Sequence, residues 1–450
     1  MNLVEFLQRL SIQGWQVWAD GERLRYRAPK EEEDTTASVL TELKAHKTEI
    51  LQLLQSNPDA VNVYPLSYGQ RSLWFLWQLA PESVAYNLGY AGRIRSAIDI
   101  PALETSFQIL LQRHSVLGHT FPCLGKEPIQ QPHTLATFSI EQVNASTWTE
   151  AELQLQVIAA YRQPFDLEQG AIIRVQIFTR SAQDHVLLLV IHHIACDAWS
   201  IGVLLEDLKL LYPAVKQGLP NPLPALKYTY RDYVSWQQQM LASAEGETLW
   251  HYWQHQLAGE LPVLNLPTDY PRPPVQTYNG ASHPIEVSEQ LTWQLKQLAQ
   301  QENVTLYMLL LAAFQVLLHR YTGQSEILVG SPTSGRSRTE FTHLMGFFVN
   351  PIVLRSDLSA NPSFKRLLAQ VRRAVLESLS HQDYPLPLLI ERLQLRRNAS
   401  HSPIFQTSFA LQIAAVPGIK GSPLTPNLNC CKLGRTGIGA ISHSATGRPI

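Results

Sequence analysis

Near the middle of the sequence, a short polar stretch lies between an apolar run and a segment with helical spacing of apolar residues. The stretch HVLLLVI (185–191) is an almost continuous apolar run, and SIGVLLEDLKLLYPAV (200–215) repeats apolar residues at helical spacing. Such a run is typical of a buried strand, and such spacing is typical of a helix. The polar sequence HHIACDAWS (192–200) lies between them. The chain is therefore predicted to contain an α/β domain in which two histidines, a cysteine and an aspartate are concentrated in one loop after a buried strand.

This loop has three interpretations from its residues alone. A metal site is disfavoured, because His192 and His193 are adjacent and would point to opposite sides of an extended backbone. Cys196 and Asp197 also lack a second ligand cluster at a familiar spacing. In a structural interpretation His192 satisfies a backbone group and Asp197 caps the following helix. In a catalytic interpretation His193 turns into a cleft while His192 braces the loop, and the pattern by itself leaves the last two open.

Size and composition limit the possible functions. A chain of 450 residues is too long for one ordinary core, so two or three domains are expected. A net charge of -1 argues against nucleic acid or an anionic membrane as the main partner. The most membrane-like stretch, 307–318, is too short to cross a bilayer and predicts a buried helix. Four cysteines without CxxC pairing and no visible signal peptide predict a reduced, cytoplasmic protein.

The first 57 residues form a separate unit by pattern. Apolar residues recur at helical spacing in 3–10, Asp20 and Gly21 favour a tight hairpin turn, and a second helical stripe runs through 39–54. This order predicts an αββα module with a thin core and few clusters suited to chemistry. Binding is its expected role, and the alternative is an extension that only shields the next domain.

The rest of the chain mixes helices and strands without a phosphate loop or a GxSxG elbow. A two-lobed α/β architecture with a site between the lobes is the default expectation. The expected divisions are an N-terminal domain at 1–57, a linker at 58–66, a first lobe at 67–235, a second lobe at 236–412 and an atypical, disordered or frameshifted tail at 413–450.

Several motifs in order point to one family. HHxxxD followed by a helix resembles the active-site motif of condensation domains, which are relatives of chloramphenicol acetyltransferase in nonribosomal peptide synthetases. The N-terminal module is similar to the tubulysin-type docking domains of the same synthetases. Further stretches that resemble condensation-domain motifs are SYGQRSLWFL (67–76), RHSVLGHTF (113–121), YRDYVSWQQQ (230–239), MGFFVNPIVLR (345–355), HQDYPLPLL (381–389) and RNASHSPIFQ (397–406).

The resemblance implies a fold and an activity. The fold would be two chloramphenicol-acetyltransferase-like α/β lobes in a V shape behind a small αββα docking domain, with the alternative that the second lobe is incomplete. The activity would be acyl transfer from a donor acyl or peptidyl thioester to the amine of an acceptor aminoacyl group. Both substrates would be carried on the phosphopantetheine arms of partner carrier proteins, and no intrinsic cofactor is implied. Further partners would be the C-terminal docking segment of an upstream synthetase and a downstream adenylation domain.

The resemblance also assigns site residues. His193 is the implied catalytic residue, which positions the amine and moves a proton, while Asp197 would pair with Arg113 to hold the loop. Backbone N–H groups at the start of the helix are candidates for binding the oxyanion. The supporting residues are His192, Asp197, Arg113, Ala198, Trp199 and Ser200. The tunnel or crossover residues are Ser331, Gly335, Arg336, Gly346 and Asn350.

Departures from the family pattern qualify these expectations. Ala198 stands where the family has glycine, so a backbone with positive φ or a very close substrate would be strained there. Gly118 stands where the family has a second arginine. The alternatives are a truncated, non-catalytic remnant that only docks a partner and a coenzyme A-dependent acyltransferase of the same fold. The sequence leaves open the donor, the acceptor, the stereochemistry and the type of upstream synthase.

Overall fold

A computed structural model of the chain shows two compact units. The first unit contains the described residues up to Trp236 together with the segment Glu340–Phe347. The second unit begins at Gln237 and resumes at Phe348 after that segment. The described residues are 3–21, 23–29, 33–56, 63–132, 138–277, 280–281, 283–395, 398–412 and 441–442.

The N-terminal part of the first unit is a small α/β module. Its elements are α1 (Leu3–Ile12), β1 (Gln16–Asp20), β2 (Arg23–Arg27), α2 (Glu33–Ala45) and α3 (Lys47–Ser56). The strands form an antiparallel hairpin. The predicted αββα order is present, but the second predicted helix is two helices. The sequence could not show this break, because the apolar stripe keeps its helical spacing across it.

A compact apolar core holds this module together. Trp15 lies between α1 and the hairpin and is almost fully buried. The other buried members come from α1, α2 and α3, so all three helices contribute to one core. The buried members are Leu7, Leu10, Trp15, Leu43, Ile50 and Leu54.

The remainder of the first unit carries the predicted loop. Its elements are β3 (Tyr64–Pro65), α4 (Tyr68–Leu79), β4 (Asn87–Ile94), α5 (Ile100–Arg113), β5 (His119–Thr120), β6 (Cys123–Leu124), β7 (Glu127–Pro132), β8 (Glu141–Asn144), α6 (Glu150–Tyr161), β9 (Ile173–Ser181), β10 (Asp184–His192), α7 (Ala198–Lys216) and α8 (Tyr230–Leu241), which ends in the second unit. Single 3₁₀ turns lie at Ser115–Gly118, His193–Ala195 and Thr339–Phe341.

A four-stranded sheet positions this loop. Its strand order is β4-β10-β9-β8, and β10 runs antiparallel to both of its neighbours while β8 and β9 are parallel. Every residue of β10 from His185 to His192 is buried. The strand predicted from the apolar run is therefore confirmed, and it delivers the loop from the centre of the sheet. α5 and α7 pack against each other in the same unit.

The second unit is also α/β. Its elements are α9 (Ala244–Gln256), α10 (Glu289–Gln301), α11 (Leu306–Thr322), β11 (Glu326–Thr333), β12 (Asn350–Asp357), α12 (Phe364–Ser380), α13 (Leu386–Arg392), β13 (Leu411–Gln412) and β14 (Ile441–Ser442). β11 and β12 form an antiparallel pair, and α11 and α12 pack on these strands. β13 and β14 pair in parallel.

The apolar stretch at 307–318 lies in α11, and Leu309, Leu311 and Ala312 are among its buried residues. The buried helix predicted for this stretch is confirmed. In the described part of the chain no single helix has the length and hydropathy of a membrane span, and α10 and α11 reach that threshold only as a pair bent by 102°.

Two sequence predictions fall mainly outside the described residues. The predicted tail at 413–450 is described only at Ile441 and Ser442. The predicted linker at 58–66 is described from Val63 onward, where Tyr64 and Pro65 pair with β7.

Candidate active site

The loop between β10 and α7 begins with a buried histidine. The Nδ1 atom of His192 accepts a hydrogen bond from the N–H of Ile194 at 3.2 Å, so this nitrogen carries a lone pair. Burial, with a contribution from the charge of His193, lowers the pKa of His192 to about 3. The neutral ring lies 6.0 Å from the ring of Phe165, measured between centroids. His192 therefore braces the turn by a side-chain to backbone bond.

His193 occupies the first position of the 3₁₀ turn and is partly exposed. Its backbone N–H donates to the carbonyl of Tyr86 at 2.8 Å. Its Nδ1 lies 2.7 Å from the carbonyl oxygen of Cys196, and a carbonyl oxygen can only accept. Nδ1 therefore carries the proton, and in the neutral ring the lone pair lies on Nε2.

The charge state of His193 is set by opposing effects. Burial lowers the pKa of its imidazole, whereas the carboxylate of Asp197 and the hydrogen bond to Cys196 favour the charged form. Burial dominates, so the ring is neutral near pH 7. A neutral imidazole with a fixed tautomer can accept a hydrogen bond or a proton at Nε2.

Asp197 is the N-cap of α7. Its Oδ1 accepts a hydrogen bond from the N–H of Ser200 at 2.8 Å, and its backbone carbonyl accepts from Ile201 at 3.0 Å. The side chain is buried. Asp197 thus fixes where the helix begins, as a capping residue does.

Ala198 is the first residue of α7, and its side chain is exposed. The non-glycine residues with positive φ in the described ranges are Asn303, Asn361 and Gln394. The backbone at position 198 is helical, so the strain that a positive φ would cause there does not arise. Ala198 is the first helical residue, so its N–H has no carbonyl one turn earlier in the helix to which it can donate. This N–H lies at the positive end of the helix dipole.

The segment Glu340–Phe347 lies against the start of α7, within the same unit. The hydroxyl of Ser200 donates to the carbonyl of Gly346 at 3.0 Å and accepts from its N–H at 3.1 Å. The indole Nε1 of Trp199 donates to the carbonyl of Thr342 at 2.9 Å. Three of the predicted residues, Trp199, Ser200 and Gly346, are thus brought together with the histidine loop.

Two predicted tunnel residues have local roles in the second unit. The hydroxyl of Ser331 donates to the carbonyl of Phe409 at 2.9 Å and accepts from the hydroxyl of Tyr307 at 2.7 Å. The Nδ2 of Asn350 donates to the carbonyls of Gln382 and Tyr384, both at 2.7 Å. These bonds stabilise β11 and the turn before α13.

Gly335 and Arg336 follow β11 in the second unit. Gly335 has a φ of +63°, and a Cβ atom there would overlap the carbonyl oxygen of Phe348. The guanidinium carbon of Arg336 lies 4.0 Å from the centroid of the Phe348 ring. Position 335 therefore requires glycine both because its φ is positive and because a Cβ atom would not fit. A role of these residues at a tunnel stays a prediction.

Arg113 does not pair with Asp197, and this expectation is wrong. The Nε of Arg113 donates to Oδ2 of Asp207 at 2.9 Å, and its NH1 donates to the carbonyl of Pro224. Nε2 of His114 lies 3.1 Å from the same carboxylate oxygen. Asp207 lies ten residues after the N-cap of α7, which is about 15 Å along a helix. The end of α5 therefore reaches the middle of α7 and not its first turn.

The role of one residue that positions the loop was not predicted from the sequence. The Nε2 of Gln70 donates to the carbonyl of Ile194 at 3.0 Å, and its Oε1 accepts from the N–H of Ser67 at 3.1 Å. Ser67 and Gln70 form a capping box at the start of α4. The S-x-x-Q spacing could have indicated the cap, although not the bond to the loop.

The arrangement has the groups needed for acyl transfer. A neutral histidine nitrogen can take a proton, and helix-start amides can stabilise an oxyanion. In the described part of the chain no three His, Cys, Asp or Glu residues are placed to hold a metal ion.

Comparison with protein families defines the class. Residues 60–420 match the family profile described as Condensation domain, and residues 3–56 match the TubC N-terminal docking domain. The chain belongs to the condensation domain family, with a docking domain at its N-terminal end. The resemblance stated from the motifs is therefore confirmed.

Two individual relatives match most of this chain. The chain is similar to a linear gramicidin synthase of Brevibacillus parabrevis, with 43% identity over 353 residues, which are 77% of this chain and 4% of that protein. Surfactin synthase subunit 1 of Bacillus subtilis (strain 168) is 35% identical over 382 residues, covering 85% of this chain and 10% of that protein. The chain thus spans a tenth or less of these relatives.

Among solved structures, the chain is similar to the X-domain from teicoplanin biosynthesis in its complex with OxyB. The identity is 28% and the TM-score is 0.71, over 77% of this chain and 76% of that chain.

Proposed function

We propose that this chain forms an amide bond between two carrier-bound substrates in nonribosomal peptide synthesis, and that its N-terminal domain docks an upstream synthetase. The donor is an acyl or peptidyl thioester, and the acceptor is an aminoacyl amine, each held on the phosphopantetheine of a carrier protein. The observation that supports this most is the tautomer of His193, whose Nδ1–H donates to Cys196 and leaves Nε2 as an acceptor.

The chemistry needs only a weak base. The amine nitrogen attacks the thioester carbon, the new C–N bond forms, and the C–S bond breaks as the donor thiol leaves with a proton. An α-amino group has a pKa of about 8, so part of it is neutral at pH 7. Burial keeps the ring of His193 neutral before the reaction. Its Nε2 can therefore accept a hydrogen bond from the amine and then the proton of that amine.

The start of α7 supplies the complementary partial charge. The amide of Ala198 belongs to the first turn, where the helix dipole favours negative charge. The oxyanion of the tetrahedral intermediate is expected to bind there. Asp197 and Ser200 hold this turn in place through the cap and the bonds to Gly346. Catalysis would thus combine orientation, proton transfer and oxyanion binding.

A single-turnover assay tests this proposal. Purified full-length chain is mixed with a panel of donor carrier proteins loaded with single amino acids and with acceptor carriers loaded likewise, and dipeptide on the acceptor is measured. We expect dipeptide above the protein-free control for at least one pair. Formation of an N-acylated amino acid on the acceptor carrier, with acyl-coenzyme A in place of the donor carrier and release of coenzyme A, would instead favour a coenzyme A-dependent acyltransferase.

A second candidate function is docking without catalysis. The similar X-domain from teicoplanin biosynthesis has been solved in a complex with OxyB, so a chain of this fold can bind another protein. Binding of carrier proteins with no dipeptide from any pair would favour this candidate over amide formation.

The docking hairpin has a basic outer face. Gln16 pairs with Arg27, Trp18 with Arg25 and Asp20 with Arg23 across the hairpin, so these six side chains share the face opposite to the apolar one. Trp18 is 42% exposed. Three guanidinium groups against one carboxylate favour an acidic docking segment, and an exposed tryptophan offers it apolar contact.

Arg25 is the central residue for testing this preference. We expect Arg25→Glu to weaken binding of a twelve-residue Glu-rich peptide about fivefold or more, because it reverses the charge opposite Trp18. Binding should also weaken with added salt, since these charges are exposed. Titration calorimetry measures both. Lys44→Glu, an equal charge change on α2, is the matched control. Equal affinity of both variants, or equal binding of a Lys-rich peptide, would refute the acidic preference.

A further inference from the structure

The ring of Phe347 packs against the ring of His193. Their centroids are 5.0 Å apart and their planes meet at 85°, which is an edge-to-face arrangement. Both residues belong to the first unit. One edge of the imidazole is therefore held by the carbonyl of Cys196 and the ring is packed by an aromatic neighbour. Rotation of the imidazole would disturb both contacts.

The backbone of Phe347 is anchored to the elements that shape the loop. Its carbonyl accepts a hydrogen bond from the hydroxyl of Tyr230 at 2.6 Å. That hydroxyl lies 3.0 Å from Oγ of Ser67, the N-cap of α4. The preceding residue, Gly346, bonds to Ser200 in the first turn of α7. The backbone at Phe347 is thus anchored to α8 and, through Gly346, to the first turn of α7.

Gly69 provides the space for this ring. A Cβ atom at position 69 would lie 2.8 Å and 2.9 Å from two ring carbons of Phe347. Gly69 is in the first turn of α4, and its φ is not in the left-handed region, so the backbone does not require glycine. Alanine would be the better helix former. The glycine is therefore explained by the ring that lies over it.

We propose that Phe347 is a positioning residue for His193, and that Gly69 is the position that allows it to be one. The inference rests on the proposed amide-forming function for its kinetic consequence. Phe347 keeps the imidazole in a single orientation and excludes water from one side of it. The Nε2 lone pair then stays aimed in one direction while the amine and the thioester react.

The surrounding charges define what a change at Phe347 would do to His193. The groups that act on this ring besides burial are the carboxylate of Asp197 at the start of α7, the backbone of Cys196 and the backbone of His193 itself. Burial is the largest effect and lowers the pKa of His193. Loss of the Phe347 ring admits water and raises that pKa toward its ordinary value of about 6.5.

The first experiment compares Phe347→Ala with wild type. We expect kcat for dipeptide formation to fall about tenfold, with KM for the carriers within about twofold, because orientation is lost and carrier binding is not. A fall in rate with acidity should appear near pH 6.5, since a protonated His193 cannot accept a proton. Phe75→Ala, at an exposed position of α4, is the matched control. Unchanged kcat and pH profile would overturn the proposal.

A double-mutant cycle separates positioning from a general structural defect. Gly69→Ala pushes on the ring from α4 and should lower kcat about threefold or more, whereas in the Phe347→Leu background it should cost little. If the effects of the two substitutions on kcat multiply, Gly69 does not act through the ring of Phe347. The proposed role of Gly69 is then refuted.

A readout without catalysis distinguishes failure of this inference from failure of the proposed function. The pKa of His193 can be followed by NMR with labelled imidazole in the full chain. We expect this pKa to rise in Phe347→Ala and to stay unchanged in Phe75→Ala. An unchanged pKa would overturn the positioning role even if the wild type formed no dipeptide.

Discussion

Substitution of His193 by alanine is expected to lower the single-turnover rate of dipeptide formation by about 10²-fold, the lower end of what a general base contributes. One nitrogen of the imidazole is committed to Cys196, so the nitrogen available to substrate is Nε2. In the proposed mechanism, the substitution removes both the hydrogen bond to the amine and the acceptor of its proton. Stopped reactions with preloaded carriers measure the rate.

His193→Gln separates these two roles. A glutamine amide can accept a hydrogen bond but cannot take a proton at neutral pH. If positioning dominates, the glutamine variant should retain more activity than the alanine variant. If proton transfer dominates, both should be equally slow. His251→Ala, at an exposed position of α9, is the control for histidine replacement. A rate in His193→Ala equal to that of the wild type would refute the catalytic role.

The pH profile adds a second check on His193. Because burial lowers its pKa, the ring is mostly neutral at about pH 6.5, its ordinary pKa. Above about pH 6.5 the rate of the wild type should therefore rise with the loss of a proton from the acceptor amine, which has a pKa of about 8. A separate step near 6.5 in the wild type would contradict the lowered pKa of His193.

The strand, the loop and the following helix were predictable because each has a strong local signal. The apolar run of β10, the switch to helical spacing and the capping aspartate lie within about thirty residues of sequence. The cap by Asp197 was also predictable from its position. The break between α2 and α3 was not, because Leu43 and Ile50 keep the same apolar face on both sides of it.

Contacts between distant segments were beyond the reach of local patterns. Ser200 and Gly346 are 146 residues apart, and nothing in either motif specifies that they bond. The position of Phe347 over Gly69 is of the same kind. The resemblance did bring the motif that contains Gly346 and Phe347 to attention. It was wrong about the partner of Arg113, since helix packing register decides which carboxylate of α7 meets the end of α5.

Asp207 lies outside the histidine loop, but its replacement is expected to lower the stability of the first unit strongly. Its carboxylate accepts from Arg113 at 2.9 Å and from His114 at 3.1 Å, and the side chains of all three are mostly buried. Asp207→Ala leaves two buried donors without their acceptor. Breaking a buried pair in this way costs about 3–5 kcal/mol of unfolding free energy.

The matched control for Asp207 is its neighbour in the sequence. Glu206 lies 3.8 Å from Lys209 in an exposed pair on the same helix. Glu206→Ala should cost about 0–1 kcal/mol, as exposed pairs do. Hydrogen exchange of the α5 and α7 amides in the full chain measures both losses locally, without requiring the two units to unfold together. Equal protection in the two variants would show that the buried pair contributes nothing special.

The stabilisation that Asp207 provides is expected to decrease at acidic pH. Burial alone would raise the pKa of Asp207, but the hydrogen bond from His114 and the charge of Arg113 outweigh it and the pKa lies below its ordinary value. The stabilisation is therefore fully present above the unfolded pKa of about 3.9 and is lost as pH falls through the folded pKa. The difference in protection between wild type and Asp207→Ala should be constant from pH 7 to about pH 5 and shrink below about pH 4.

A double-mutant cycle decides which aspartate is the partner of Arg113. Arg113→Met combined with Asp207→Asn should show a coupling energy of more than about 1 kcal/mol, because the two side chains share one buried hydrogen bond. Arg113→Met combined with Asp197→Asn should be additive within about 0.5 kcal/mol, because Asp197 caps α7 about 15 Å away along the helix. Coupling to Asp197 alone would restore the pairing that the family resemblance implied, and would mean that α5 meets the first turn of α7 in solution.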